Sequence, residues 1–168
     1  MASTIARPRE RRFGKATEAL GFLAWIGLSF AAAAIGGLAR PGAWYAALEK
    51  PAWTPPDAVF PPVWTTLYLL MGVAAGLVWL RRHAAGAYPA LALFALQLAL
   101  NALWSWLFFG WHLVGWALIE IAVLLVAILA MLRAFLPVSR VAGWLLAPYA
   151  AWVAYATTLN AAIWWLNP

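Results

Sequence analysis

The sequence predicts an all-α integral membrane protein, a bundle of five transmembrane helices, and three observations carry that prediction. Hydrophobic residues make up 67% of the chain and charged residues only 10%, whereas a soluble domain lies nearer one half and one quarter. The apolar residues gather into five runs, each long enough to cross a hydrocarbon core of roughly 30 Å. The cations sit almost entirely at alternate ends of those runs. Helices are the only viable spanning element here, because backbone in lipid must satisfy its own hydrogen bonds and the runs are too continuously apolar for barrel strands.

Residues 1–15 read as a basic tail and 16–168 as the helical domain. Ala16–Ala39 is the first span, ended by Arg40-Pro41-Gly42. Its basic flank resembles that of a signal peptide, but the run is too long for an h-region and is read as a retained helix. A loop rich in aromatic residues and proline follows. Pro51, Pro55, Pro56, Pro61 and Pro62 fix φ and remove donors, so no regular helix is expected through Lys50–Pro56 and the loop loses less entropy on ordering. Val59–Leu80, Pro89–Phe109, Leu113–Leu136 and Val141–Leu166 are the remaining spans, separated by Arg81-Arg82-His83, Gly110 and Pro137.

With the N-terminus inside, Arg7, Arg9, Arg11, Arg12, Lys15, Arg81, Arg82, Arg133 and Arg140 face the cytoplasm and only Arg40 and Lys50 face out, nine cations against two. The excess of +6 is therefore a topology signal rather than a nucleic-acid patch, and it puts the proline-tryptophan loop outside a cell membrane. With no cysteine, there is no disulfide, thiolate metal site or Cys nucleophile. Nor does the chain carry a nucleotide-binding loop, a metal-ligand cluster or a nucleophile–base pair. His83 and His112 stand at helix ends and read as solvated turn residues, not metal ligands.

Helical periodicity sorts the third and fifth spans into faces. Gln97, Asn101, Trp104 and Phe108 share one stripe, and Ala95, Ala99 and Ala102 the opposite one. The alanine face suits close approach of a second helix, hence a homodimer, with Gly72 and Gly76 on the second span as the competing surface. Tyr149, Trp152, Ala156 and Asn160 share a stripe of the fifth span beside Pro148. Amides so placed are either interhelical glue or the orienting groups of an aromatic pocket, and the tryptophans either pocket walls or an interfacial belt. Glu120 is the one acid well inside a span, where a carboxyl is either a hydrogen-bonded neutral group or a participant in ligand or proton handling.

The segments WYAALEKPAWTPP, PPVWTTLYLLMG, QLALNALWSWLFFG and APYAAWVAYATTLNAAIWWLN, in this order, resemble the TspO/MBR family from Ala16 to the C-terminus. The resemblance implies a five-helix bundle, usually dimeric, in a bacterial membrane, with a pocket closed by the first loop that takes porphyrins such as protoporphyrin or haem and synthetic isoquinoline- or benzodiazepine-type ligands. No obligatory cofactor is implied. Carried over by motif, the pocket residues are Trp44, Tyr45, Trp53, Pro55, Pro56 and Trp64, with Asn101 and Trp104 from the third span and Trp152, Ala156 and Leu159 from the fifth. An aliphatic-Tyr-basic pattern associated with cholesterol in animal members is absent, since Ala161 and Trp165 occupy its places. Two function classes follow: a receptor or transporter of porphyrins, and an enzyme of light- and oxygen-dependent tetrapyrrole breakdown, for which Trp64 and Trp152 are the matching residues.

Overall fold

The computed structural model describes residues 8–168, with side chains from Gly14 onward. Arg7 lies outside the described residues, and so do the side chains of Arg9, Arg11 and Arg12. The chain is helical almost throughout: α1 (Pro8–Gly37), α2 (Ala43–Ala47), α3 (Phe60–Trp79), α4 (Ala87–Ser105), α5 (Val114–Val138), α6 (Arg140–Leu145) and α7 (Ala147–Leu166). α1 starts well before the apolar run, since Pro suits a first helical turn and hydropathy marks lipid rather than hydrogen bonding. No helix crosses Lys50–Pro56, as the prolines require. One 3-10 turn, Asp57–Val59, leads into α3, whose first turn accommodates Pro61 and Pro62 because N–H groups there have no intrahelical partner. α4 starts from Gly86, at φ 83°, and ends in a π-helical turn, Trp106–Gly110.

Among the described residues, four helical segments are long and apolar enough to cross a membrane: Gly14–Gly37, Asp57–Trp79, Ala87–Gly110 and Val114–Val138. The expected fifth span, Val141–Leu166, is two helices rather than one. Pro148 has no N–H to give to the carbonyl of Trp144, so the ladder breaks at Leu146, whose N–H bonds instead to the Gly143 carbonyl at 3.1 Å. α7 is 20 residues long, yet Tyr149, Trp152, Tyr155, Thr157, Thr158 and Asn160 keep it below the hydropathy of the other four. At the same end of the bundle as that break, Arg81 donates to the Val138 carbonyl at 2.9 Å and so satisfies the end of α5 from the turn that follows α3.

The core lies where α3, α4, α5 and α7 converge, with Met71, Val78, Phe94, Ile128, Phe135 and Tyr149 fully buried. α1 packs on α3 and α4. Its approach to α3 depends on absent side chains: a Cβ on Gly72 would lie 2.7 Å from the backbone Cα of Ile26, and one on Gly76 would lie 2.4 Å from the Phe22 ring. The small face of α3 is therefore occupied by α1 and is not free to pair with a second copy. On α4, Ala95 and Ala99 are exposed, whereas Ala102 is half-buried against α1 near Gly36.

Gly72→Leu should destabilise the protein in detergent by about 1–3 kcal/mol or more, because the obstacle is backbone and cannot rotate away. Ala99→Leu, on an open face, should leave the midpoint within about 0.5 kcal/mol of wild type. Thermal unfolding followed by tryptophan fluorescence decides between them, and equal midpoints would show that α1 does not depend on this approach.

Candidate functional site

A cavity of about 650 Å³ opens between α1, α3, α4 and α7 beneath α2. Each helix gives it a different chemistry. α1 contributes small groups, Ala33, Gly36 and Gly37, which leave the room. From α3 come Phe60, Trp64 and Tyr68, from α4 Asn101 and Trp104 with Phe109 of the π-helical turn, and from α7 Trp152 and Ala156. Phe108 and Phe109 both reach the aromatic cluster, Phe108 stacking on Trp104 at 5.4 Å and Phe109 meeting it edge-on at 5.7 Å. A π-helical turn fits one more residue into the circuit and re-aims the side chains after it.

The floor is a line of hydrogen bonds through three helices. The Tyr68 hydroxyl donates to Asn101 Oδ1, Asn101 Nδ2 donates to the Tyr149 hydroxyl at 3.0 Å, and that hydroxyl donates to Gln97 Oε1 at 2.9 Å. Higher up, Trp104 Nε1 donates to Asn160 Oδ1 at 3.1 Å while Asn160 Nδ2 donates to the Val114 carbonyl at 3.0 Å. The amides thus serve as interhelical glue, with Asn101 also facing the cavity. Such bonds contribute roughly 0.6 kcal/mol each in bundles of this kind. Glu120 is buried in α5 away from the chamber, with no hydrogen-bond partner on either carboxyl oxygen.

The mouth is charged and the lid is tied down. Lys50 and Asp57 line the opening, and the Lys50 ammonium lies 4.5 Å from the centroid of the Tyr45 ring. Burial, helped by the Asp57 carboxylate, raises the Tyr45 phenol above its usual pKa, so it stays a neutral hydrogen-bond donor. The Asn167 side chain pairs with the Glu49 backbone in both directions at 3.0 Å, accepting from its N–H and donating to its carbonyl. The Tyr155 hydroxyl donates to the Trp53 carbonyl at 2.7 Å. Trp44 lies flat on His112, ring centroids 4.0 Å apart, and edge-on to Phe108.

Of the residues expected in the pocket, Tyr45, Trp64, Asn101, Trp104, Trp152 and Ala156 line the cavity, whereas Trp44, Trp53, Pro55, Pro56 and Leu159 do not. Trp44 and Trp53 are instead parts of the lid's attachment, Trp53 through its backbone while the residue as a whole is 59% exposed, and Leu159 is buried among helices. Lys50, Phe60, Tyr68 and Phe109 line it without having been singled out. Tyr68 was within reach, one helical turn beyond Trp64 on the same face. Lys50 offered a weaker signal as a lone cation among aromatics. Among the described residues no cluster of His, Asp or Glu is fit to hold a metal.

The sequence profile of the TspO/MBR family matches residues 25–166. Protein CrtK of Rhodobacter capsulatus is 39% identical over 138 residues, covering 82% of this chain and 86% of that one. Tryptophan-rich sensory protein of Cereibacter sphaeroides is 40% identical over 139 residues, 83% and 86% of the two chains. Human Translocator protein is 46% identical over 123 residues, 72% and 73%.

Asn167→Ala removes both bonds to Glu49 and should loosen the lid by about 1 kcal/mol. Amide hydrogen exchange across residues 44–56 should quicken several-fold while that of α3 and α5 stays put. Unchanged exchange in the lid would show that the other contacts hold it alone.

Proposed function

The chain belongs to the TspO/MBR family, and from that premise we propose that it is a membrane receptor of sensory type whose chamber binds porphyrins and related flat lipophilic molecules. The observation that carries this reading is the gradient of chemistry in one cavity: Trp64, Trp104 and Trp152 around the body, Asn101 at the floor, and Lys50 with Asp57 at the mouth. A conjugated macrocycle with acidic edge groups needs that order. Its faces stack on indoles, one amide orients it, and its carboxylates stay beside an ammonium near water. In this reading α7 is the fifth span, the lid faces outward from a bacterial cell membrane, and the exposed Ala95 and Ala99 face of α4 pairs two copies. Trp64 and Trp152 both line the chamber, which also supports the second reading, light- and oxygen-dependent breakdown of the bound tetrapyrrole. A discrete photoproduct that vanishes when either tryptophan is replaced would select it.

Protoporphyrin should quench tryptophan fluorescence saturably. Trp152→Ala should weaken binding several-fold to tenfold, as the loss of one aromatic contact of about 1 kcal/mol requires, whereas Trp165→Ala, at a residue 81% exposed, should not. Lys50→Gln should weaken binding of the dicarboxylate several-fold but leave that of its dimethyl ester unchanged. Equal affinities across these variants, with protein shown to be folded, would remove the chamber from the reading. A cysteine in place of Ala46 should label from outside intact cells; labelling only after permeabilisation would reverse the topology.

A further inference from the structure

A second cavity, of about 610 Å³, lies between α3 and α7 on the side away from the chamber. Val63, Leu67 and Leu70 of α3 form one wall, Pro148 and Ala151 of α7 the other. No Asp, Glu, Lys, Arg or His lines it. Of all its lining residues only Trp152 also lines the chamber. One indole is therefore the partition between an enclosed aromatic pocket and an apolar cleft on the bundle's flank.

That partition is held differently from its neighbours. Trp104 Nε1 is fixed on Asn160 and Trp106 Nε1 on the Ile35 carbonyl, whereas Trp152 Nε1 is buried with no acceptor. Turning the indole breaks no hydrogen bond. Its ring meets Phe60 edge-on and Tyr155 at a tilt, each with centroids 5.8 Å apart, so no flat stack restrains it. One helical turn to either side stand Pro148 and Ala156, neither long enough to block a swing. α3 and α7 also touch each other far less than α1 touches α3. By contrast, opening the lid breaks the paired bonds between Asn167 and Glu49 and the bond from Tyr155 to Trp53.

We infer that the cleft is a lateral entrance and Trp152 its gate: a flat lipophilic ligand dissolved in the bilayer seats between α3 and α7 and enters the chamber as the indole turns. This inference rests on the chamber being the ligand site and on α7 crossing the membrane. The occupant follows from the surroundings, since a cleft lined by no Asp, Glu, Lys, Arg or His, with Thr66 and Tyr155 its hydroxyl-bearing residues, on the flank of a membrane-spanning helix meets hydrocarbon and whatever is dissolved there.

The test uses the full chain in lipid nanodiscs and, as probe, protoporphyrin dimethyl ester preloaded into liposomes, with tryptophan quenching followed by stopped flow. Ala151→Phe and, separately, Leu70→Phe fill the cleft from opposite walls, so a folding defect in one leaves the other. Each plug should slow both association and dissociation at least tenfold while the dissociation constant stays within twofold of wild type. Wild-type rates in both folded variants would overturn the lateral entrance and leave the receptor reading intact. Absence of saturable quenching in the wild type itself would overturn the receptor reading and the entrance with it.

Discussion

Most of this bundle answers to one constraint, that a polar group inside hydrocarbon must find its partner within the protein, and Glu120, Gln97 Nε2 and the Trp79 and Trp152 indoles are the buried exceptions among the described residues. Gln97 Oε1, Asn101, Tyr149 and Tyr68 meet it by bonding in sequence across α4, α7 and α3. Asn160 meets it by joining α4 and α5 to α7. With the helices pinned at those depths, the aromatic residues above them have fixed places, and the cavity is the volume that the small residues of α1 leave unfilled. The same residues therefore set the helix register and face the ligand space. A chamber built this way keeps its shape when empty, because the bonds that define it are between protein groups.

The two sides of the bundle satisfy the constraint with different means. At the end away from the lid, Arg81 donates to the last carbonyl turn of α5 and Ser139 accepts the Ala142 N–H at the start of α6. At the lid end, the bonds run from the last helix to loop backbone: Asn167 to Glu49 and Tyr155 to Trp53. The end away from the lid is closed by one local cap and one bond between helix ends 57 residues apart, whereas the lid end depends on contacts spanning more than 100 residues of sequence.

Those distances explain how far the sequence could be read. Of the five spans that the apolar runs predict, four are helices long and apolar enough to cross a membrane, and the prolines keep Lys50–Pro56 free of helix, because both signals are local. The 3.6-residue period placed Gln97, Asn101 and Trp104 on one inward face, and all three are buried or half-buried there. What escaped depends on neighbours from elsewhere in the chain. Pro148 marks an interruption of the ladder from sequence alone, but not the division of the last segment into two helices, with the Leu146 N–H turned back to the Gly143 and Trp144 carbonyls. Gly72 and Gly76 have the spacing of a dimer surface, and nothing local says that α1 already covers them. Trp44 and Trp53 carry the right chemistry for a pocket, but Trp44 is turned to His112 and Trp53 meets Tyr155 through its backbone carbonyl with its side chain outside the cavity.

The π-helical turn at Trp106–Gly110 carries a consequence for how this segment can change over time. Trp111 N–H reaches back five residues to the Trp106 carbonyl, and the surplus residue that this circuit contains is what lets both Phe108 and Phe109 meet Trp104. Removing a single residue there would restore an ordinary α-helix and rotate every following side chain by about 100°. Phe108 would then leave Trp44, and the lid would lose its seat without any aromatic residue having been replaced. The length of this stretch is therefore as much a part of the site as the identity of its side chains.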